Sequence, residues 1–160
     1  MNRTSSSSAA PAAIALAQEQ LRRASVRITD ARIKVLAALL QTRRALSHLD
    51  VQDALTGIDR VTLYRALDCL TAAGLAHKIA GDDRVFRYSA GTDHALDATS
   101  HHGEHQHGHF KCTRCTKVFC LDRLDDTGSL RAALQKTLGA GFQSHDIEFT
   151  IKGWCTDCAH

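Results

Sequence analysis

The stretch D-R-V-T-L-Y-R-A-L-D-C-L-T-A-A-G, residues 59–74, decides the fold of the N-terminal half. Asp59 is a residue typical of helix N-termini, and Gly74 is placed to end a helix. Between them, apolar residues recur with helical period, while basic and polar side chains gather at the N-terminal end. The pattern predicts a helix with one buried face, formed by Leu63, Ala66, Leu67 and Leu70.

Three more helices are predicted upstream of this stretch by the same criteria. Residues 12–23 show helical periodicity, and Thr29 with Asp30 offers an N-cap to a second helix that ends near Gln41. Ser47 caps a short third helix. The helix over residues 59–74 is therefore the fourth.

Two short strands are predicted after the fourth helix. They cover residues 75–79 and 84–88, and the turn A-G-D-D separates them. Helices followed by a two-stranded hairpin are the element order of a winged helix. We therefore predict a winged helix-turn-helix domain over residues 12–89, preceded by a disordered Ser/Ala-rich tail over residues 1–11.

The first half of the chain is basic and offers candidate DNA contacts. Residues 1–90 carry 13 Lys and Arg against 8 Asp and Glu, whereas residues 91–160 carry 7 against 9. In helix-turn-helix proteins the recognition helix enters the major groove, where Arg bonds guanine and Thr or Tyr contacts thymine or phosphate. An ordinary charged surface helix is the alternative interpretation. The candidate contacts are Arg27, Arg32, Arg60, Thr62, Tyr64 and Arg65, with Arg84 on the hairpin as a wing contact.

Two C-x-x-C pairs in the second half give the strongest chemical signal. Cys112 and Cys115 are separated by 39 residues from Cys155 and Cys158. Four thiolates on two tight turns fit a tetrahedral Zn²⁺ and leave no open position for a substrate, so we predict one structural zinc per chain. Redox-active pairs or unrelated thiols are the alternatives. The surrounding strand and helix patterns predict a small domain over residues 107–160, which needs a metal or an oligomeric partner because its core is small.

Histidines are concentrated between the two predicted domains. Six of the ten lie between His94 and His109, in a polar stretch that we interpret as a hinge over residues 90–106. On a strand, His107 and His109 would share one face and could ligate one ion together, and Zn²⁺, Fe²⁺ and Ni²⁺ all suit such a site. The alternative, a solvated loop that binds metal weakly, applies above all to His94, His101, His102 and His105.

The sequence gives little support to an enzyme or a membrane protein. His102-Gly-Glu104 ahead of Cys112 superficially resembles the zinc deaminase signature, but Lys111 stands where proline belongs. We find no nucleotide-binding or nucleophile motif. Without a secretory signal or a long apolar run, we expect a cytoplasmic protein with no membrane partner, in which paired cysteines bind metal rather than form disulfides.

Four stretches, taken together and in this order, resemble the ferric uptake regulator family. They are R-I-T-D-A-R (27–32), V-T-L-Y-R-A-L-D-C-L-T-A-A-G-L-A-H-K-I (61–79), H-G-H-F-K-C-T-R-C (107–115) and G-W-C-T-D-C (153–158). The resemblance implies an α+β protein with an N-terminal winged helix-turn-helix domain and a small C-terminal α/β dimerisation domain that carries a four-cysteine zinc site. Members typically act as dimeric, metal-dependent repressors on double-stranded DNA.

The family's functional residues carry over at positions that match its motifs. The resemblance assigns the structural zinc to the two cysteine pairs and the recognition-helix contacts to Tyr64 and Arg65. It assigns a hinge metal site to His107 and His109. All three assignments fall on residues that the sequence patterns above had already singled out.

Within the family the chain is most similar to the zinc uptake regulator branch. Iron-sensing members carry a hinge glutamate where this chain has Arg87, and the zinc branch uses a histidine at the position of His77 together with a thiolate. Tyr88 or Ser89 occupies the usual thiolate position, so Cys120 is the candidate substitute. The alternatives are that Cys120 is a buried apolar thiol, or that a loop histidine replaces one ligand (His94, His101, His102 or His105). A His/Cys mixture favours Zn²⁺ over Fe²⁺ by softness. The predicted regulatory site therefore consists of His77, His107, His109 and Cys120.

The resulting prediction is a zinc-responsive repressor that binds pseudo-palindromic operators as a homodimer. A second divalent ion, zinc, would join the wing to the dimerisation domain and so fix the separation of the two recognition helices. An iron-, nickel- or peroxide-responsive regulator on the same scaffold is the alternative within the class. A zinc-storage or thiol redox protein without a DNA role is the alternative from another class.

Overall fold

A computed structural model of the chain has two compact units. They are Met1–Leu96 and Asp97–His160. Both helices and strands are present, so the predicted α+β class is confirmed. The residues that the structure describes are 10–91, 107–121, 127–143 and 148–159.

Several sequence-based predictions fall outside the described residues. Residues 1–9 of the predicted tail and residues 92–106 of the predicted hinge lie there. The hinge histidines in this group are His94, His101, His102 and His105.

Four helices of the first unit begin close to where the sequence predicts them. The side chains of Thr29, Ser47 and Asp59 accept backbone N–H bonds at the starts of the second, third and fourth helices. Pro11 occupies the first position of the first helix, where a missing N–H leaves no bond unmade, so this residue is helical rather than part of the tail. The helices are α1 (Pro11–Arg23), α2 (Asp30–Leu40), α3 (His48–Ala54) and α4 (Arg60–Ala72).

The apolar faces of these helices meet in one core. Burial of each large aliphatic side chain contributes about 1.5–3 kcal/mol, so this core accounts for a stable first unit. On α4 the buried residues are the four predicted from the sequence, Leu63, Ala66, Leu67 and Leu70. The leucines that are fully buried are Leu21, Leu36, Leu39, Leu63, Leu67 and Leu70.

The first unit also contains a three-stranded antiparallel sheet. Its strands are β1 (Arg44–Ser47), β2 (Ala76–Ala80) and β3 (Phe86–Ala90), with β3 between the other two. Strand β1 was not predicted from the sequence. Strand β3 starts later than predicted. Arg84 has a φ of 61°, so it lies in the turn between β2 and β3, at the tip of the wing that these two strands form, rather than in the strand.

The described part of the second unit has three strands and one helix. Strand β4 (His107–Cys112) pairs antiparallel with β5 (Val118–Leu121) and parallel with β6 (Glu148–Gly153). Helix α5 (Thr127–Leu138) lies between β5 and β6 in the chain. Because parallel neighbours end at the same edge of a sheet, the chain segments that follow β4 and β6 start side by side.

The second unit has little apolar interior among its described residues. Its buried apolar side chains there are Cys112, Val118 and Cys155. Three leucines of α5 at a spacing of four, Leu130, Leu134 and Leu138, are exposed by 41%, 41% and 46%. A core of this size does not stabilise a unit by itself, which leaves a metal and a partner surface as the sources of stability.

Candidate metal centre and nucleic-acid interface

Pairing of β4 with β6 brings the two C-x-x-C turns together. Cys112 ends β4 opposite Gly153 of β6, so each strand leads directly into one of the turns. Thr113 N–H donates to the Gly153 carbonyl at 2.8 Å and joins the turns at their bases. One ligand atom from each of the four cysteines, Cys112, Cys115, Cys155 and Cys158, lies within 4.8 Å of the others.

Sulfur spacing in this cluster fits a metal centre better than a disulfide. The Cys115 and Cys155 Sγ atoms are 3.6 Å apart, whereas a disulfide requires about 2.05 Å. Four sulfurs arranged tetrahedrally at about 2.3 Å from a Zn²⁺ ion lie about 3.8 Å from one another. The residues therefore fit a closed, four-thiolate zinc site.

Backbone N–H groups favour the thiolate form of one of these sulfurs. N–H groups of Cys115, Cys155 and Arg114 face Cys112 Sγ and lower its pKa to about 6, and the Cys155 N–H lies 3.4 Å from it. Burial, together with the neighbouring thiols, raises the pKa of Cys158 to about 12. A cation at the centre would relieve this crowding of negative charge, so metal binding releases protons from the cluster.

Of the four predicted regulatory residues, the described structure places two as direct neighbours. His109 on β4 and Cys120 on β5 are register partners in the antiparallel pair, so their side chains emerge on the same face of the sheet. His107 lies on β4, two residues before His109. His77 lies on β2 in the first unit, opposite Ser89 of β3.

Ser89 occupies an unusual position beside His77. Ser89 is only 6% exposed. Among the described residues, its Oγ has no hydrogen-bond partner. A buried hydroxyl without a partner is costly, and a bound ion is one of the groups that can satisfy such an atom. The wing therefore presents an unsatisfied polar atom next to a predicted ligand.

Arg87, at the position where the resemblance implies a glutamate in iron-sensing members, is a buried cation. Its guanidinium donates two bonds to Asp83, at 2.7 and 2.9 Å, and one to the Val85 carbonyl at 3.3 Å. These bonds hold the pKa of the Asp83 carboxyl well below its usual range and close the turn between β2 and β3. The position therefore stabilises the wing and offers no oxygen ligand to a metal.

The N-terminal end of α4 carries a polar face away from the core. Arg60, Arg65 and Val61 are exposed there, while Thr62 and Tyr64 are half-buried. Asp59 accepts the Thr62 N–H at 3.0 Å, which fixes the first turn. Hydrogen bonds from the Thr62 side chain and then from its backbone N–H lower the pKa of the Asp59 carboxyl. The predicted contacts on this helix thus share a fixed end that is open to solvent.

Two residues at this surface were missed by the sequence analysis. The His48 ring on α3 lies 5.3 Å from the Tyr64 ring, and Arg60 covers Tyr64 at 5.8 Å, which makes a row of three side chains. Val61 is 58% exposed. Val61 could have been identified from the sequence, because it is an apolar residue that lies off the buried face of the helix. The position of His48 could not, because it depends on how α3 packs against α4.

Arg27 and Arg32 lie around the start of α2. Arg32 Nη1 donates to the Arg27 carbonyl at 2.6 Å, so part of its guanidinium braces the segment that leads into the helix. The Arg27 side chain is exposed. Of these two predicted contacts, Arg27 is therefore the more exposed, and Arg32 braces the segment that carries it.

A winged helix with a basic recognition end, followed by a small unit with a four-thiolate centre, defines a DNA-binding regulator with a metal site. The ferric uptake regulator family model matches residues 23–150. The chain is 34% identical to the ferric uptake regulation protein of Legionella pneumophila, covering 88% of this chain and 96% of the relative. It is 32% identical to the transcriptional regulator FurA of Mycobacterium tuberculosis, covering 88% of each.

The fold is shared by a solved structure of a zinc uptake regulator complexed with zinc and DNA, with a TM-score of 0.63 at 23% identity. The match covers 97% of this chain and 95% of that chain. The chain belongs to the ferric uptake regulator family. Membership confirms a metal-responsive transcriptional regulator that binds DNA and is not an enzyme. None of the described helices combines the length and the apolar character needed to cross a membrane.

Proposed function

We propose that this regulator is a cytoplasmic, zinc-responsive repressor that binds pseudo-palindromic operators as a homodimer. One structural zinc would be held by Cys112, Cys115, Cys155 and Cys158. A second zinc would be held by His77, His107, His109 and Cys120, and would join the wing to the dimerisation domain over residues 107–160. The observation that carries the choice of metal is the direct pairing of His109 with Cys120.

Donor chemistry supports zinc over iron. Thiolate and imidazole are ligands that Zn²⁺ accepts readily, whereas Fe²⁺ sensing sites gain from carboxylate oxygens. Arg87 removes one such oxygen and places a buried cation there instead. The scaffold is compatible with this proposal, since a zinc uptake regulator of the same fold was solved with zinc and DNA.

Metal binding would act through the spacing of two DNA-reading surfaces. Arg27, Arg60, Thr62, Tyr64 and Arg65, with Arg32 as a brace, would contact the operator. A dimer carries two such surfaces, which must match successive half-sites about one helical turn apart. An ion that ties each wing to the dimerisation domain would select the matching separation, so zinc raises operator affinity by a population shift.

The test is operator binding after chelation, with Zn²⁺, Fe²⁺, Mn²⁺ and Ni²⁺ restored one at a time. Zinc should restore binding at the lowest free concentration. Restoration by Fe²⁺ or Ni²⁺ at lower free concentration would assign the protein to the iron or nickel alternative. His77→Ala, His109→Ala and Cys120→Ser should each keep the structural zinc and the dimer but lose the metal response.

Ser89→Cys is expected to make operator binding respond to a lower concentration of zinc. The new thiol would replace a buried Oγ that lacks a partner among the described residues, so no hydrogen bond is lost, and it would stand directly across from His77. The free zinc concentration for half-maximal operator binding should fall about tenfold, the scale on which changes around a metal ligand act. Ser89→Ala serves as the matched control and should respond like the wild type. An unchanged response of Ser89→Cys would place His77 away from the sensing ion.

We propose that the exposed leucines of α5 form the dimer surface. Leu134→Glu places a charge in the middle of the stripe formed with Leu130 and Leu138, where a partner chain would bury it. The variant should elute as a monomer in size-exclusion chromatography with light scattering. Ala132→Glu, on the other side of the same helix, should remain dimeric. A dimeric Leu134→Glu protein would mean that the chains associate through another surface.

A further inference from the structure

Two cations join the two C-x-x-C turns outside the sulfur cluster. Arg114, between the cysteines of the first turn, donates to the Cys158 carbonyl at 2.6 Å. Lys117, just after that turn, donates to the Asp157 carboxylate at 2.6 Å. Each bridge therefore connects a cation of the first turn with an acceptor of the second.

Arg114 is held in place by an aromatic ring. Its guanidinium lies 3.8 Å from the centroid of the Trp154 ring. Trp154 directly precedes Cys155 in the chain. Trp154 is 56% exposed, so its role here is to cover the guanidinium rather than to fill a core. A cation stacked at this distance and bonded at its end has few alternative positions.

Lys117 lies within electrostatic reach of the sulfurs as well. Lys117 follows Cys115 by two residues, and Asp157, which its ammonium group contacts, directly precedes Cys158. A Zn²⁺ ion with four thiolates leaves two uncompensated negative charges. Nearby cations stabilise such a centre because they attract its net negative charge, and their bonds across the two turns hold the four sulfurs around the ion.

We propose that Arg114 and Lys117 form a clamp across the two turns that slows the release of zinc from the four-cysteine site. The inference rests on the proposed structural zinc and adds a function to it. A protein that senses zinc must keep one ion while exchanging another. The clamp separates the two sites by rate, so the structural zinc stays bound while the regulatory zinc leaves.

The experiment is a competition between the zinc-loaded, full-length protein and an excess of a chromophoric chelator. Lys117→Gln and Arg114→Gln should each speed zinc transfer about tenfold, the scale expected for groups that support metal ligands. Fluorescence of Trp154, the only tryptophan of the chain, gives a second record of release. Lys136→Gln, which removes the same charge from α5, should match the wild type.

Salt and a charge-conserving variant distinguish the clamp from general loss of structure. Added salt should speed release from the wild type towards the rate of Lys117→Gln, because salt screens the charge interaction that Lys117 makes. Salt should change the rate of Lys117→Gln little, because that variant lacks this interaction. Lys117→Arg should release zinc slowly. A Lys117→Gln protein that loses zinc during purification while Lys117→Arg retains it also supports the clamp. Equal rates for Lys117→Gln, Arg114→Gln and Lys136→Gln would overturn it, and so would loss of zinc from both Lys117 variants. Failure of the zinc site itself would differ from these results, because the wild type would then carry no zinc at the start.

Discussion

Replacing Cys112 with serine is expected to remove the tightly bound zinc and to unfold the second unit while the first unit stays folded. Structural zinc sites of this kind supply about 10–16 kcal/mol of binding energy, and that energy is folding energy when no site exists in the unfolded chain. Among its described residues the second unit buries only the apolar side chains of Cys112, Val118 and Cys155. Zinc content by mass spectrometry and the proteolytic stability of each half measure the effect.

The matched control for this variant is Cys69→Ser. Cys69 is a half-buried cysteine on α4, far in sequence from the four paired cysteines, and it belongs to the first unit. Its replacement should leave both the zinc content and the second unit unchanged. A Cys112→Ser protein that is folded in both halves, free of zinc and dimeric would show that the metal does not hold the second unit together.

Arg65→Ala is expected to weaken specific operator binding while zinc content and dimerisation stay intact. Arg65 is exposed on the polar face of α4, and a base contact of this kind contributes about 1–3 kcal/mol, roughly 5- to 150-fold in affinity. Fluorescence anisotropy with operator variants would separate two modes of contact. A base contact relaxes discrimination at one position, whereas a phosphate contact lowers the affinity for every sequence and reduces its salt dependence.

Arg22→Ala is the control for the loss of a positive charge. Arg22 is an exposed residue of α1 that pairs with Glu19 at 2.6 Å. Removal of this residue should leave operator discrimination unchanged. If Arg65→Ala binds every operator variant as the wild type does, α4 is not the helix that reads the DNA.

Helix starts were predictable because local chemistry determines them. Thr29, Ser47 and Asp59 each cap a helix with their own side chain, so the signal lies within a few residues of the sequence. Strand β1 was not predictable in this way. Its residues R-A-L-S lack β-branched and aromatic side chains, and the strand exists because Leu46 pairs with Tyr88 of β3, far along the chain.

The same distinction applies to the candidate site. Cysteine spacing alone predicted a four-sulfur cluster, because C-x-x-C turns constrain each pair and a returning strand brings the pairs together. The neighbours that surround the cluster were not predictable. Arg114 meets the Cys158 carbonyl and Lys117 meets Asp157 across about 40 residues of chain, and only the parallel pairing of β4 with β6 sets these contacts.

Zinc titration of the operator complex tests the central proposal most directly. Protein that retains one zinc per chain after mild chelation would be mixed with labelled operator, and Zn²⁺ would be added while anisotropy and bound zinc are recorded together. The account predicts weak binding at one zinc per chain and a rise of at least about tenfold in affinity that is complete at two. His109→Ala should stay in the weakly bound state at the same zinc concentrations. Full operator affinity at one zinc per chain, or a rise that His109→Ala reproduces, would contradict a second zinc at this site as the signal.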